Sequence, residues 1–176
     1  STLDRSSAAS DVYKRQTQRI EEANKFAEKN GMEPIRISQI NYSLAHSSVE
    51  TFGDNTLVCM DTKEFRWYKK HDFPVMAFSP QAKGFFAKLA KGDAANNLPE
   101  GQYAGPANLA RLAKVKQLSE QTGDTPAKIT LGYLNSQPFF VSSVFAVTKL
   151  WQLDEDMEAQ DLTYDPKTVA FLENMI

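Results

Sequence analysis

The sequence predicts an α/β fold in which a small parallel sheet is covered by helices. Three runs of strand length, residues 35–40, 73–79 and 139–147, are largely apolar rather than strictly alternating, which is typical of strands buried on both faces. Stretches with helical spacing lie between and after them. Because helices that alternate with such strands pack on the faces of a parallel sheet, we expect a helix-covered parallel sheet of about three strands. Repeated βα units build barrels, but three strands are too few to close one.

Six segments have the spacing of helices, and several carry start or stop residues. Gly31 follows the first segment, where a helix C-terminus is expected, and either Asp61 or Thr62 can cap the second. Thr125 followed by Pro126 is typical of a cap and a first helical residue. We therefore predict helices at residues 17–30, 61–70, 107–120, 125–136, 150–159 and 165–174.

Two of these helices have clear apolar faces, which we expect to be buried. The residues on these faces are Ile20, Ala23, Phe26 and Ala27 in the first helix and Leu109, Leu112, Val115 and Leu118 in the third. The segments 41–55 and 81–105 are polar or rich in Gly, Asn and Lys, and we predict both to be loops. Each follows the carboxyl end of a strand, the edge at which α/β proteins carry their chemistry.

The N-terminal segment has an unusual string, DVYKRQ, at residues 11–16. The codons GAT-GTG-TAT-AAG-AGA-CAG would encode it, and they match the transposon end that is ligated onto DNA in sequencing libraries. We expect residues 1–16 to be non-native read-through and disordered, with native sequence beginning near Thr17. The alternative is an ordinary polar tail. On the first interpretation the chain is a fragment of a longer protein.

Composition narrows the classes of function. The chain has 176 residues, with 41% hydrophobic and 24% charged residues, as in an ordinary soluble domain. A net charge of −2 argues against a nucleic-acid partner. No apolar run approaches the roughly 20 residues that span a bilayer, so no membrane contact is expected. The single cysteine, Cys59, cannot form an internal disulfide and favours a cytoplasmic location, and its apolar neighbours favour packing over nucleophilic chemistry.

No motif predicts a metal site. The sequence has no HExxH and no Cys-x-x-Cys pair. The acidic run at residues 154–156 would point in three directions around a helix, which favours a solvated face over a set of metal ligands.

Four segments resemble the C-terminal half of aldo-keto reductases, in that family's order and spacing. They are SQINYS at residues 38–43, VMAFSPQAKGFF at 75–86, TPAKITLGYLNSQP at 125–138 and TKLWQLDEDMEA at 148–159. The resemblance implies a partial TIM (β/α)8 barrel whose sixth, seventh and eighth strands are the three predicted here. It also implies that residues 17–176 are the C-terminal part of an NADP-dependent oxidoreductase.

The family's reaction is hydride transfer between NAD(P)H and a carbonyl compound, and the resemblance assigns cofactor-binding roles near the first two strands. Gln39 matches the glutamine that holds the nicotinamide carboxamide, a task suited to an amide because it both donates and accepts. Phe78 matches an aromatic position, usually tyrosine, that lies against the nicotinamide. The loop that follows the pyrophosphate is matched by Ser79, Gln81 and Lys83.

The last segment resembles the part of the family that binds the adenosine end, where a loop leads into a helix N-terminus. The residues at that site are Ala146, Val147, Thr148, Lys149, Gln152, Glu155 and Asp156. Three depart from the family pattern: Ala146 replaces Gly or Lys, Val147 replaces Ser or Thr, and Asp156 replaces Asn. The resemblance implies NADP (NADPH) as the cofactor, with NAD also possible. Lys149 is the one cation left in this loop, so the sequence does not predict a preference between NADPH and NADH.

The resemblance assigns no catalytic residue to this chain. In the family the catalytic Tyr, with its Asp, Lys and His partners, lies in the N-terminal half, and Tyr42, His46 and His71 do not match those positions. We expect the parent enzyme to reduce aldehydes, ketones or sugars, and this chain to be inactive alone. A nucleotide-binding but non-catalytic regulatory subunit is the alternative. The identity of the carbonyl substrate and the oligomeric state are not predicted.

Overall fold

The structure is a computed structural model that describes residues 16–54, 56–92 and 103–173. It contains the strands β1 (Ser38–Asn41), β2 (Val75–Phe78) and β3 (Val141–Val144). The helices are α1 (Gln16–Lys29), α2 (Val49–Phe52), α3 (Thr62–His71), α4 (Phe85–Ala90), α5 (Pro106–Thr122), α6 (Pro126–Asn135), α7 (Leu150–Met157) and α8 (Pro166–Glu173). The prediction of a disordered, non-native N-terminus falls on residues outside the described ones, except for Gln16 at the start of α1.

The three strands form one parallel sheet in the order β1-β2-β3, as the sequence predicts. Ser38 pairs with Val75 and Val75 with Val141, so the strands are in step along the whole sheet. All three carboxyl ends therefore lie at one edge. Each strand is four residues long and thus shorter than the run that predicted it, and β1 extends one residue beyond its run, to Asn41.

The expectation that the strands are buried on both faces is wrong for the described residues. On one face Ile40, Val75 and Ala77 are fully buried beneath the helices, whereas Val141 and Ser143 of β3 are half-buried. On the opposite face Gln39 is exposed, Met76 and Ser142 are half-buried, and Val144 is exposed. Helices cover a single face of this sheet, and the other is open except at the end of β1, where Asn41 is buried.

The predicted helices are present with small changes of boundary, and their caps explain where they begin. Asp61 precedes α3, and its carboxylate accepts hydrogen bonds from the backbone N–H of Lys63 at 2.7 Å and of Glu64 at 2.8 Å. Thr125 caps α6 by accepting from the backbone N–H of Lys128 at 3.3 Å. These side chains satisfy backbone donors that have no partner within the helix.

Two apolar residues predicted to be buried are exposed instead. Phe26 on α1 is 62% exposed, and Leu109 on α5 is 44% exposed. Their helical neighbours Ile20, Ala27, Val115 and Leu118 are buried as expected.

Both long predicted loops contain helical structure. The segment 41–55 includes the short helix α2. The segment 81–105 begins with a 3-10 turn at Ala82–Gly84 that continues into α4, and its residues 93–102 lie outside the described ones. The loop prediction is therefore wrong for residues 82–90, where Phe85, Phe86 and Leu89 are buried in the core.

The core lies between the covered face of the sheet and the helices. It is rich in aromatic residues: Tyr68 on α3, Phe85 and Phe86 on α4, and Phe139 just before β3 belong to one cluster with Ile40 of β1. Among the described helices, none is long and apolar enough to cross a membrane.

Candidate functional site

A groove of about 1200 Å3 opens at the carboxyl edge of the sheet, beside β2 and β3. One wall is the segment that follows β2, from Ser79 to Lys91, and the other runs from Val144 to Asp156. The N-terminal end of α6 and part of α5 contribute the floor. The groove therefore forms where two strands of a parallel sheet end, which is the usual place for ligands in α/β proteins.

The segment after β2 has a strained backbone. Ser79, Ala82 and Lys83 have positive φ angles of 53°, 49° and 55°, and the following Gly84 has a φ of 80°. The left-handed region costs a residue with a Cβ roughly 1–2 kcal/mol. Backbone strain of this kind is held in place by its surroundings and concentrates at ligand sites. The tight path turns the chain back under the groove and presents Lys83, whose side chain is exposed.

Gln81 and Asp156 join the two walls of the groove. The Gln81 amide Nε2 donates to Asp156 Oδ1 at 2.6 Å. Asp156 is 5% exposed, and burial raises the pKa of its carboxyl group, an effect that the hydrogen bond from Gln81 opposes. Two residues that the resemblance assigned to the cofactor are thus in contact with each other.

The start of α7 is held by Gln152. Its Oε1 accepts from the backbone N–H of Thr148 at 3.1 Å and of Lys149 at 3.0 Å, and also from the Thr148 hydroxyl at 3.1 Å. Lys149 is exposed at the cap position and is not part of the groove lining. The side-chain carbonyl oxygen of Gln152 is therefore occupied by hydrogen bonds at the start of α7.

Gln39 and Phe78 lie on the same face of the sheet. Gln39 pairs with Met76, and Phe78 is two residues further along β2; side chains two residues apart on a strand point the same way. This is the open face described above, so both side chains are accessible from one side. They lie outside the groove lining.

Nine of the residues assigned by the resemblance line the groove. Ser79, Gln81 and Lys83 form part of one wall, and the opposite wall carries Ala146, Val147, Thr148, Gln152, Glu155 and Asp156. These two sets are separated by more than sixty residues in sequence.

Sequence reasoning missed a cationic and aromatic part of the groove. Lys88, Lys91 and Lys116 line it, together with Phe86 and Trp151. The Lys91 ammonium lies 5.2 Å from the centre of the Trp151 ring, within reach of a cation–π contact. A recognisable signal was present for the first two lysines, because the apolar pattern of FFAKLA at residues 85–90 is that of a short helix.

The other candidate side chains lie elsewhere. Tyr42 is buried against the rings of Tyr133 and Phe139, and burial raises its pKa far above the ordinary range. His71 stacks on Trp67. Burial also raises the pKa of the Cys59 thiol, which disfavours the nucleophilic thiolate. Over the described residues, no group of three or more potential metal ligands comes together.

The described residues form an α/β structure with three parallel strands and a groove at the carboxyl edge of the sheet. The model of the aldo/keto reductase family matches residues 5–176. The chain therefore belongs to the aldo-keto reductase family.

A solved relative supports the fold. The crystal structure of a thermostable aldo-keto reductase in complex with the inhibitor epalrestat is similar over 85% of this chain, with a TM-score of 0.53 and 14% sequence identity. The chain spans 43% of the length of that protein. The three strands and their helices thus correspond to part of a TIM barrel, which confirms the predicted fold class.

Proposed function

We propose that this chain is the cofactor-binding, C-terminal part of an NAD(P)H-dependent aldo-keto reductase that reduces aldehydes or ketones by hydride transfer. The observation that supports this most is the convergence of two distant segments on one groove. All the residues assigned to the cofactor line it, except Gln39, Phe78 and Lys149. Membership of the family makes NADP the first candidate ligand, with NAD as the alternative.

The chemistry of the groove fits a dinucleotide. Four lysines, Lys83, Lys88, Lys91 and Lys116, bring positive charge to its walls, which suits phosphate groups. Trp151 is 54% exposed beside them and offers a ring face for a base. Bound NAD(P)H would supply the hydride.

The chain's own residues would bind and orient the two ends of that molecule. The Gln39 amide can donate to and accept from the nicotinamide carboxamide, and the Phe78 ring on the same face can pack against the nicotinamide. At the other end, the wall from Ala146 to Asp156 would hold the adenosine part. The open face of the sheet connects the two positions, because Phe78 is the last residue of β2 and Ser79 begins the groove wall.

Binding can be tested by titrating the 176-residue chain with NADPH and following tryptophan fluorescence. Trp151 lines the groove, whereas Trp67 lies on α3 and packs against His71 and Phe73. We expect NADPH to quench the emission, and the quenching to be largely lost in Trp151→Phe and kept in Trp67→Phe. Absence of saturable binding by calorimetry would contradict the proposal.

Turnover is not expected from this chain by itself. None of its residues matches the family's catalytic positions, so nothing here would donate the proton to the carbonyl oxygen. We predict no oxidation of NADPH above background when the purified chain is mixed with an aldehyde. Steady loss of absorbance at the nicotinamide band would show this expectation to be wrong.

The preference for NADPH depends on a cation near the adenosine ribose. Lys149 is the candidate from the resemblance, and it stands at the exposed start of α7. We predict that Lys149→Glu weakens NADPH binding far more than NADH binding, because a 2′-phosphate would then face a carboxylate. Equal losses for the two nucleotides in calorimetry would remove that role. The buried, free Cys59 is compatible with the reduced cytoplasmic location that we propose.

A further inference from the structure

One side-chain contact crosses the groove. Gln81 follows β2 and Asp156 lies in the last turn of α7, 75 residues later. Their separation of 2.6 Å is at the short end for an N–H donor and a carboxylate, as expected when the acceptor is charged. Within the described part of the chain, neither side chain forms a hydrogen bond to a third partner.

The two groups differ in how far they are exposed to the groove: Gln81 is half-buried and lines it, whereas the Asp156 side chain is buried. Asp156 is 5% exposed, so its carboxylate is shielded from the open part of the groove. An ionised carboxylate can only accept hydrogen bonds, so the amide nitrogen of Gln81, and not its oxygen, must face Asp156. This requirement fixes the orientation of the Gln81 side chain. The backbone around Gln81 is also constrained, because Ser79, two residues before it, and Ala82, directly after it, are in the left-handed region.

A second contact joins the same two walls nearer to solvent. The Lys91 ammonium from the end of α4 lies over the Trp151 ring in the first turn of α7. Trp151 is exposed and Asp156 is buried, so the two contacts lie at different depths along α7. The outer contact is exposed to solvent, which weakens a cation–π pair, whereas the inner contact is shielded from solvent.

We propose that Gln81 and Asp156 are positioning residues that hold α7 against the segment after β2 and thereby fix the width of the groove, rather than direct ligands of the nucleotide. They act on the ligand through the wall they hold in place. The identity of that ligand rests on the proposed function, but the role of the contact within the chain does not.

The test is a double-mutant cycle in the 176-residue chain, with two readouts. The variants are Gln81→Met, which keeps the length of the side chain but removes the amide, Asp156→Ala, and the two together. Asp156→Asn is the conservative replacement, because its amide oxygen can still accept from Gln81. Asp154→Ala is the matched control: Asp154 is exposed on the same helix and does not line the groove.

The first readout needs no nucleotide. Amide hydrogen exchange over residues 150–157 and 79–91 should become roughly tenfold faster in Gln81→Met and in Asp156→Ala, because losing a charge-assisted hydrogen bond of this kind releases the helix. Asp156→Asn should retain most of the protection, and Asp154→Ala all of it. Unchanged exchange in both single variants would overturn the proposal.

The second readout is the affinity for NADPH. Each single variant should weaken binding by roughly tenfold, and the double variant by no more than the weaker-binding single one, because both remove the same contact. If the losses of NADPH affinity in the two single variants multiply to roughly a hundredfold in the double variant, and amide exchange is unchanged, Gln81 and Asp156 contact the nucleotide independently and the proposal is wrong. If the unmodified chain binds no NADPH, the proposed function fails, while hydrogen exchange still decides whether the contact holds the groove wall.

Discussion

Glu64 is a buried carboxyl group at the contact between α1 and α3. It is 4% exposed, and its Oε1 accepts from the Thr17 hydroxyl at 3.2 Å. Its Oε2 has no hydrogen-bond partner within the described part of the chain. Burial raises the pKa of this group above its ordinary value, and the nearby Asp61 carboxylate adds to the effect, while Thr17 opposes it.

The raised pKa determines how Glu64 affects stability. The folded chain holds this proton more tightly than the unfolded chain, whose glutamate pKa is 4.5. Stability is therefore highest below that value and falls as the pH rises through the raised pKa of the folded state. Once ionised, the group is buried with incomplete hydrogen bonding, which is unfavourable.

We predict that Glu64→Gln increases the free energy of unfolding at pH 7 by about 1 kcal/mol, because it removes the buried charge but keeps an acceptor for Thr17. The variant should also lose the decline in stability that Glu64 causes as the pH rises from 4.5 through the raised pKa of its folded state. Urea unfolding at several pH values measures both effects. Glu28→Gln, an exposed change on α1, is the control and should leave the curve unchanged.

At the scale of elements, a single glycine on α6 allows that helix to pack closely against the segment before α8. A Cβ added to Gly132 would lie 2.8 Å from Cε2 of Tyr164 and 2.9 Å from Cγ of Leu162. The backbone there is ordinary helix, so the glycine is needed for close approach and not for its conformational freedom. Tyr164 is fixed in addition by its backbone N–H, which donates to the Ser136 hydroxyl at 2.6 Å.

We predict that Gly132→Ala lowers the free energy of unfolding by about 1–3 kcal/mol through overpacking. Alanine is a better helix former than glycine by about 1 kcal/mol, so helix propensity alone would make this variant more stable. A loss of stability therefore reports the steric overlap. Combining it with Leu162→Ala removes one of the two overlaps and should recover part of the loss. Thermal and urea unfolding measure this, and a gain in stability for Gly132→Ala alone would contradict the packing seen here.

The elements that were predicted well are those whose signals are local. The cap at Asp61 and the Thr125–Pro126 start depend on a few adjacent residues, and both appear as expected. Phe26 was placed in the core because the sequence shows a helical face but not the length of its partner. The contacts of α1 with α3 are made nearer its start, where the Trp67 indole donates to Glu21 and Thr17 meets Glu64. Phe26 lies beyond them and is exposed.

The helix α4 was missed for a related reason. Its apolar residues Phe85, Phe86 and Leu89 have helical spacing, but glycine and lysine surround them and resemble a loop. The segment becomes a helix because the core accepts these three side chains. Tertiary burial thus overrides a weak local preference.

At the scale of the whole molecule, the position of the groove could be predicted and its internal contacts could not. Parallel strands bring their carboxyl ends to one edge, so the loops after β2 and β3 had to meet there. The hydrogen bond between Gln81 and Asp156 depends on how α7 is set against the opposite wall, which no spacing in the sequence reveals. The same is true of Lys116, which reaches the groove from α5.

The distribution of charge over the molecule leads to a last prediction. The chain has a net charge of −2, yet its groove collects four lysines beside Glu120, Glu155 and Asp156. An anionic ligand would therefore meet a locally positive surface on an acidic protein. Since exposed charges are screened over about 8–10 Å at physiological salt, this attraction should depend on ionic strength.

We predict that Lys116→Gln weakens NADPH binding roughly threefold to tenfold at low salt, the range expected for one partly exposed charge contact. The difference from the unmodified chain should shrink as salt is raised, because screening removes the same interaction. The control is Lys25→Gln, because Lys25 is exposed on α1 and does not line the groove. This variant has the same net charge as Lys116→Gln and should bind NADPH as the unmodified chain does. If both variants lose affinity to the same extent, overall charge and not the lysines of the groove attracts the nucleotide.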